Sequence, residues 1–369
     1  MMLRAPMRVD IVVEHIPHYR AAFVAELDQS KSIDATWVAG ESPTRQSGIP
    51  GSDSKPRSLD TVSNCPLPFG LTWQRGVLKH SIATRSQAVV FTGDPHIVST
   101  WLASPLLRLR GIKVLFWTHG WRGEEQGLKR ALRISFYKLA NGLLLYGQFG
   151  QRVGRSYGYK KPIWIVGNSN GAPIVPASAD GVRDRSKSQR WAVVSRLFNG
   201  RKIEQVIQAV ALLSEQGKTV NLVVVGDGPE RQALEAESQR LGLTCDFHGA
   251  VYDENRTAQL LSSSDVLVSP GHIGLSAVHS MSSGCPVATH GNMHHQMPEA
   301  AAVANGVTGI LFEEDNVTDL AERVWDFVSH YDRSSISDNC HKEVLLNWSV
   351  SAQLEAFEEA LASAITVRK

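Results

Sequence analysis

The sequence predicts an α/β protein built from two domains, each with a doubly wound parallel β-sheet. Three observations predict this class: the chain has 369 residues, short apolar runs alternate with helix-like stretches, and one polar segment interrupts the alternation. Strands that alternate with helices are typical of parallel sheets, and a chain of this length usually forms more than one core. The polar segment, residues 177–189, is the predicted linker between the domains.

The first domain is predicted for residues 1–176. Its expected strands are residues 9–13, 88–91, 114–117, 142–146 and 164–166, separated by helix-like stretches such as residues 20–28 and 128–140. Residues 42–66, rich in Ser, Pro and Gly, are expected to form a long mobile loop.

The second domain, residues 190–346, repeats the strand and helix alternation more regularly. Near its end, the apolar strand 266–268 runs into a Pro-Gly-His loop, and a helix is predicted to start at Gly274 and Leu275. Ligands of doubly wound sheets bind at the carboxyl ends of the strands. A helix that starts there offers free backbone N–H groups and a positive dipole end, so this position predicts phosphate binding.

Composition narrows the class further. The content of 43% hydrophobic and 20% charged residues is ordinary for a globular protein, and no apolar run reaches the roughly 18 residues of a membrane helix. Asp10 and Glu14 interrupt the first apolar segment, so we expect a first strand rather than a signal peptide, and a cytoplasmic protein. The four cysteines lie far apart without a C-x-x-C pair, which indicates neither a zinc site nor a disulfide framework.

Several segments together carry a resemblance to a known family. In the second domain these are VVSRLFNGRKIEQVIQAVALL, LVVVGDGPERQALEAESQRLGL, FHGAV, DVLVSPGHIGLSAVHSMSSGCPVATH and PEAAAVANGVTGILFEEDN. In the first domain they are IPHYRAAFVAEL, FWTHG and VGNSNG. In this order and spacing they resemble the retaining glycosyltransferases of family 4, also described as glycosyl transferases group 1. The family has the GT-B fold of two facing Rossmann-like domains with an interdomain cleft, and a final helix, here residues 347–369, that packs back on the first domain.

The resemblance implies the transfer of a sugar from a nucleotide diphosphate sugar to a glycan or lipid-linked acceptor, in cell-surface polysaccharide or glycoconjugate synthesis. It implies catalytic roles for His119, Arg196 and Lys202. The departing diphosphate gains negative charge, so fixed cations must lie where that charge grows. Arg196 follows a strand and Lys202 precedes a helix, and both match family residues that grip the diphosphate. No metal and no cofactor are expected, since the sequence has no D-x-D pair.

The resemblance also implies donor-binding positions: Gly271, His272, Gly274, Leu275, His279, Ala250 and Val251. The chain departs from the family at two of them, because Gly271 and His279 stand where the family has glutamates near the donor sugar and the ribose. His279 can still hydrogen-bond a ribose hydroxyl, whereas Gly271 offers only backbone. His272 is a candidate for contact with the donor sugar, or a plain surface residue. Ala250 and Val251 match a segment that contacts the base through its backbone.

The acceptor side is expected to include His15, Tyr19, Arg20 and Arg122. His15, Tyr19 and Arg20 resemble the family's acceptor and donor-phosphate loop, without its paired glycines. The alternative interpretation is that Tyr19 packs in the core and Arg20 is solvated.

The first domain also has a basic segment, residues 108–161. Between residues 95 and 179 the only acids are Glu124 and Glu125, against twelve Lys and Arg residues. Together with Leu128, Leu132, Ile134 and Phe136, this basic face predicts docking on an anionic membrane and a peripheral location at the inner face of the plasma membrane. A scattered solvated face is the alternative, and no nucleic-acid-binding motif is present.

Other functional classes remain less consistent with the residues. No G-x-G-x-x-G follows a strand, and no complete P-loop is present, which argues against a dehydrogenase and a P-loop NTPase. A sugar-nucleotide epimerase would need cleft carboxylates that the sequence does not place. Because both family glutamates are absent, a catalytically silent nucleotide-sugar-binding protein or partner subunit stays the alternative to an active transferase.

Overall fold

The computed structural model of the protein describes residues 5–40, 51–52, 55–176 and 184–366. Contacts within the chain divide it into two compact units. Unit 1 contains the described residues up to Gly171 and again from Ser349 onward, and unit 2 contains those of Ala172–Trp348. Both units are α/β layers built on a mainly parallel sheet, as the sequence predicts.

Unit 1 is built on a sheet that has eight strands within the described residues. These are β1 (Met7–Val13), β2 (Ile33–Gly40), β3 (Leu59–Leu67), β4 (Leu71–Arg75), β5 (Ala88–Thr92), β6 (Lys113–Thr118), β7 (Gly142–Leu145) and β8 (Ile163–Ile165). Their order is β4-β3-β2-β1-β5-β6-β7-β8, and the pairs are parallel except for the antiparallel β3–β4 hairpin at one edge. Strands such as β5 and β7 are buried on both faces, which explains their continuous apolar sequences.

Helices cover both faces of this sheet. They are α1 (Ala21–Asp28), α2 (Val77–Ala83), α3 (Val98–Leu109), α4 (Gly127–Tyr137) and α5 (Gln148–Ser156). One apolar cluster packs Phe23 and Leu27 of α1 against β1 and β6, and a second packs Phe136 of α4 and Leu107 of α3 against the other face.

Unit 2 has a parallel sheet of six strands within the described residues. These are β9 (Ser188–Val194), β10 (Thr219–Val225), β11 (Cys245–Gly249), β12 (Val266–Ser269), β13 (Val287–His290) and β14 (Gly309–Phe312), in the order β11-β10-β9-β12-β13-β14. The helices are α6 (Ile203–Glu215), α7 (Arg231–Arg240), α8 (Glu254–Ser262), α9 (Ser276–Ser282), α10 (Val317–His330) and α11 (Arg333–Glu343). The strands stay parallel, but the side on which the chain adds them changes at β9. Strands β10 and β11 lie on one side of β9, and β12 lies on the other.

The final helix, α12 (Val350–Thr366), belongs to unit 1. Phe357 and Leu361 are fully buried in the apolar cluster of α1. The Phe357 ring lies edge-on to Phe23 with 5.6 Å between centroids, and it also contacts Trp117 at 5.4 Å. The described residues also contain short 3-10 turns, His18–Arg20, Pro68–Gly70, Asn199–Arg201, Met293–His295 and Pro298–Ala302, and a π-helical turn, Val344–Trp348.

Two sequence-based boundaries need correction. The predicted linker 177–189 ends inside β9, because Gln189 is fully buried and its amide nitrogen donates to Trp325 O at 3.0 Å and Ser329 Oγ at 3.1 Å. A polar residue that makes its hydrogen bonds inside a core looks, in the sequence alone, like a residue of a polar linker. The change of unit falls earlier, between Gly171 and Ala172, and residues 177–183 lie outside the described residues.

The predicted loop 42–66 also contains a strand. Residues 59–66 belong to β3, most of whose side chains are exposed or half-buried, so it lacks the apolar signal of the inner strands. Residues 42–50 and 53–54 lie outside the described part of the chain. Among the helices that the structure describes, none combines the length and apolar character that crossing a membrane requires.

Candidate active site

The candidate site in unit 2 lies at the carboxyl end of β9, where the order of the strands reverses. Such a switch point leaves a crevice between the loops that follow the strands on either side, and doubly wound sheets bind ligands there. Arg196 comes two residues after β9, and the loop 270–275 follows β12, the neighbouring strand.

The backbone around Arg196 is fixed by the turn that follows β10. Ser195 N donates to Val225 O at 3.0 Å, and Leu197 N donates to Asp227 O at 2.9 Å. Gly226 has φ 142°, and a Cβ there would lie 1.7 Å from Ser195 O. Glycine is therefore required at this turn, and the close approach holds the loop that carries Arg196 in one position.

Lys202 lies directly before α6 in a left-handed backbone conformation, with φ 54°. Its Nζ is 2.6 Å from Asp315 Oδ1 and 3.2 Å from Glu314 Oε1. Asp315 is also left-handed, at φ 60°. Such conformations cost non-glycine residues roughly 1 kcal/mol or more and concentrate at functional sites. The sequence predicted Lys202 as a diphosphate ligand but not the two carboxylates that hold its ammonium group.

Glu314 is the centre of this polar cluster. It accepts hydrogen bonds from Asn292 Nδ2 at 2.6 Å and pairs with His295 Nδ1 at 2.8 Å. Burial alone would raise the pKa of Glu314, but hydrogen bonds from His295, Asn292 and Lys202 lower it. The carboxylate is therefore ionised at neutral pH and fixes the position of the lysine.

The loop after β12 packs directly on the turn before Lys202. A Cβ on Gly271 would lie 2.7 Å from Gly200 O and 2.9 Å from Arg201 Cα, so the position has no room for a side chain. The carbonyl of His272 accepts a hydrogen bond from Arg201 Nη1. Ile273 N donates to Gln296 Oε1 at 2.8 Å on the other side. Sequence reasoning missed Arg201, although its place beside Lys202, just before a helix, was the available signal.

The other predicted donor residues lie around α9 and β11. Helix α9 begins at Ser276 with Leu275 as its cap residue, close to the predicted start, and Gly274 borders open space. His279 lies inside α9; burial lowers its pKa, and its Nε2 has no hydrogen-bond partner in the described ranges. Ala250 and Val251 directly follow β11. The structure tests none of their proposed ligand contacts.

Unit 1 contains a pocket of about 510 Å³ at the carboxyl ends of β5 and β6. Its lining includes Tyr19, Arg20, Trp117, His119 and Arg122. The structure therefore brings His119 together with three of the four predicted acceptor-side residues.

His119 is neutral in this pocket. Burial, together with the positive charges of Arg122 and Arg20, lowers the pKa of His119 to about 3. Its ring lies edge-on to Tyr146, with 4.6 Å between centroids, and its Nδ1 has no partner among the described residues. An imidazole in this state can donate or accept a hydrogen bond but does not act as an acid at neutral pH.

Arg20 is not solvated, so that alternative is wrong. Its guanidinium lies 3.9 Å above the Trp117 ring centre and donates through Nη2 to the Tyr146 hydroxyl. Tyr19 is half-buried at the pocket wall. His15 lies on the same loop but does not line the pocket; burial is the main cause that lowers its pKa, opposed by Glu14 and reinforced by Arg20.

The pocket wall contains two further hydrogen-bonded pairs of side chains that were not predicted from the sequence. Asp94 Oδ1 accepts from the His96 backbone N at 2.9 Å and from its Nδ1 at 2.7 Å. Glu125 is buried, and its two carboxylate oxygens share the single N–H of Arg133 Nε, each at 2.8 Å. These carboxylates are already engaged with cationic or donor groups.

The basic face of residues 108–161 is only partly available for docking. Leu128 and Leu132 of α4 are 84% and 52% exposed, but Phe136 is fully buried and Ile134 packs against the core, which corrects their predicted role. Several cations instead donate to backbone carbonyls: Arg108 to Leu139, Arg110 to Thr84, Arg155 to Tyr159 and Lys161 to Ala140. Of the four predicted apolar residues, Leu128 and Leu132 therefore remain exposed, and exposed cations such as Arg110, Arg152 and Lys160 lie outside α4.

Comparison with protein families identifies the second unit. Residues 181–342 match the family model described as Glycosyl transferases group 1. The matched range contains Arg196, Lys202 and the loop after β12. This part of the chain is therefore a glycosyl transferases group 1 domain, as the resemblance implied.

Two relatives match shorter segments. The GDP-mannose-dependent alpha-(1-6)-phosphatidylinositol dimannoside mannosyltransferase of Mycobacterium tuberculosis is 37% identical over 109 residues, which cover 27% of this chain and 28% of that enzyme. The 2-deoxystreptamine glucosyltransferase of Streptomyces kanamyceticus is 35% identical over 102 residues, which cover 27% of this chain and 26% of that enzyme. The matches thus span little more than a quarter of these relatives.

The fold extends over the whole chain. The structure of the lipopolysaccharide outer core galactosyltransferase WaaB in its apo form aligns with a TM-score of 0.71 at 14% identity, covering 97% of this chain and 99% of that one. At this identity the likeness shows the fold alone. It confirms the predicted GT-B class, with two Rossmann-like α/β units.

Proposed function

We propose that the protein is a retaining glycosyltransferase of family 4 that moves a sugar from a nucleotide diphosphate sugar to a glycan or lipid-linked acceptor, in the synthesis of cell-surface polysaccharide or glycoconjugate. The observation that carries this proposal is the position of Arg196, on a loop hydrogen-bonded to the turn after β10, at the switch point of a glycosyl transferases group 1 domain.

The diphosphate is the leaving group of the proposed reaction, and its charge grows as the sugar bond breaks. Arg196 offers a guanidinium fork to the phosphate oxygens. Lys202 offers a point charge: two of its three N–H donors face Glu314 and Asp315, which leaves one for a phosphate oxygen. Fixed donors of this kind stabilise developing charge without reorganisation and without a metal ion.

The sugar is proposed to lie against His119, whose neutral imidazole can hydrogen-bond a hydroxyl without adding charge. In a retaining reaction the acceptor attacks the face from which the diphosphate departs, and a phosphate oxygen takes the proton of the acceptor hydroxyl. The backbone of Ala250, Val251 and Gly271 contacts the base and the sugar, and His279 the ribose.

The acceptor is proposed to reach the pocket of unit 1 from an anionic membrane surface at the cytoplasmic side. Leu128 and Leu132 are exposed on α4, while Lys129 of the same helix lines the pocket. Exposed leucines among cations favour the interface of an anionic leaflet. A lipid acceptor also agrees with the activity for which the mycobacterial relative is named, that of a phosphatidylinositol dimannoside mannosyltransferase.

The test is a thermal-stabilisation screen of nucleotide sugars, followed by transfer and hydrolysis assays with those that bind. Lys202→Ala is expected to reduce turnover roughly a hundredfold, the order found for removal of one charge-stabilising donor, with little change in melting temperature. The control is Lys187→Ala in the same unit, whose side chain is 83% exposed. Wild-type turnover in Lys202→Ala would refute the assigned role.

A catalytically silent nucleotide-sugar-binding protein or partner subunit is the second candidate. Two positions at which the family has glutamates favour it: Gly271, where there is no room for a side chain, and His279, whose imidazole is buried. Stabilisation by a nucleotide sugar without hydrolysis or transfer to any glycan or lipid acceptor would select this candidate.

A further inference from the structure

Arg201 connects the two loops that flank the switch point of unit 2. It ends the 3-10 turn Asn199–Arg201 directly before Lys202, and its Nη1 donates to the carbonyl of His272 in the loop after β12. Its guanidinium carbon lies 5.5 Å from the centre of the Phe198 ring. The guanidinium group is therefore ordered before any ligand arrives, and an ordered donor loses little conformational entropy when it binds.

The other terminal nitrogen of this guanidinium group is available to a ligand. Arg201 Nη2 makes no hydrogen bond within the part of the chain that the structure describes, and it reaches the surface of unit 2. Burial and the nearby positive charge of Arg196 lower the pKa of Arg201, and no carboxylate counteracts them. Arginine still stays protonated at neutral pH. One end of the side chain thus holds the loop after β12, while the other end can donate to an anion.

The charges around Lys202 call for such a further cation. Its Nζ lies 3.2 Å from Glu314 and 2.6 Å from Asp315. The hydrogen bond from Lys202 lowers the pKa of Asp315, and Glu314 is ionised as well. These two negative charges equal the two positive charges of Lys202 and Arg196. A diphosphate that gains negative charge as it departs needs positive charge beyond this balance.

We propose that Arg201 is a third cationic ligand of the donor diphosphate, and that its Nη2 donates to the phosphate linked to the sugar. The inference rests on the proposed function, which provides the diphosphate. The loop after β12 lies on the opposite side of β9 from β11 and from the base-contacting residues Ala250 and Val251. The sugar-linked phosphate is the one farther from the base, so it is the one nearer to Arg201. A charge-assisted hydrogen bond from a guanidinium group suits its oxygens.

The test compares the binding of UDP, UMP, GDP and GMP to the full chain by calorimetry at constant ionic strength. The diphosphate and monophosphate of one nucleoside differ in the second phosphate alone, so the ratio of their affinities isolates its contacts. Arg201→Gln keeps an amide N–H for the His272 carbonyl but removes the charge. It should lower this ratio roughly tenfold, the loss of one charged hydrogen bond, and leave the monophosphate affinity unchanged. Arg240→Gln, in the last turn of α7 with a side chain 67% exposed, is the matched control and should keep the wild-type ratio.

Equal ratios in wild type and Arg201→Gln overturn the proposal. An equal loss of affinity for monophosphate and diphosphate also overturns it, because Arg201 would then only support the loop after β12. Arg201→Lys keeps the charge but cannot span the His272 carbonyl and a phosphate at once, so its ratio should fall roughly threefold. If Arg201→Gln does not fold, a wild-type ratio in Arg201→Lys overturns the proposal.

Failure of the proposed function gives a different result. If the ratios change as expected but no nucleotide sugar is hydrolysed or transferred, Arg201 keeps its role in a protein that binds without turnover. If none of the four nucleotides binds the wild type, the role of Arg201 and the proposed function are both refuted.

Discussion

Gly271 provides a direct test of how the loop after β12 is built. In Gly271→Ala, the new Cβ would lie 2.7 Å from Gly200 O and 2.9 Å from both Arg201 Cα and Arg201 C. All three are backbone atoms, so a side-chain rotation cannot relieve the contact. Overpacking of this kind costs about 1–3 kcal/mol, whereas the reduced freedom of the unfolded chain returns only about 0.4–1 kcal/mol. We expect a net destabilisation of about 1–2 kcal/mol.

The control is Gly274→Ala, three residues later in the same loop. A Cβ there meets no atom within 4 Å, and neither glycine has a positive φ. Gly274→Ala should therefore leave stability unchanged or raise it by up to about 1 kcal/mol. Urea unfolding followed by circular dichroism measures both, and faster hydrogen exchange at residues 199–202 in Gly271→Ala locates the strain. Equal midpoints for the two variants would refute the steric reasoning.

Two further predictions concern unit 1. His80 Nε2 lies 2.7 Å from Asp10 Oδ2, and this hydrogen bond raises the pKa of His80 above 6.5. Burial would raise the pKa of Asp10, but hydrogen bonds from His80, Ser86 and Thr84 lower it below 3.8. The pair stabilises the fold between these two pH values, and this stabilisation is lost as the pH rises through the folded-state pKa of His80 or falls through that of Asp10. The difference in urea midpoint between wild type and His80→Asn should therefore become smaller above about pH 6.5. A difference that does not change with pH would contradict the pairing. His119→Asn should lower turnover roughly tenfold to a hundredfold. The factor should be the same from about pH 5 to about pH 9, because His119 stays neutral throughout. If the ratio of wild-type to variant turnover changed with pH in steady-state assays, the proton of His119 would be transferred in the reaction.

Much of the fold was predictable because local apolar patterns determine it. The helix-like stretch predicted at residues 20–28 is helix α1, Ala21–Asp28, and the inner strands of unit 1 agree within one or two residues at their ends. Buried parallel strands have continuous apolar sequences, and amphipathic helices repeat with their own period. Strand β3 was not predicted because its side chains are mostly exposed or half-buried. The burial of Gln189 was not predicted because it depends on partners 136 and 140 residues away.

The candidate site was predictable in its positions but not in its contacts. Strand-end placement indicated Arg196 and His119, and placement at the start of the next helix indicated Lys202, since the carboxyl edge of a parallel sheet collects functional loops. The partners of Lys202 are 112 and 113 residues away in sequence, in a turn after β14 that belongs to the family resemblance but does not itself indicate a contact with Lys202. The steric reason for glycine at 271 likewise needed the backbone of residues 200 and 201 in space.

The last helix imposes an order on folding. Phe357 and Leu361 fill the core between α1 and β6, so unit 1 lacks part of its interior until α12, which follows unit 2 in the chain, has been synthesised. Unit 2, which is continuous from Ala172 to Trp348, is synthesised before α12. Domains usually complete their folding from the amino terminus during synthesis. In this protein the amino-terminal half is the one that must wait, with Phe23 and Trp117 exposed to chaperones and to aggregation in the meantime.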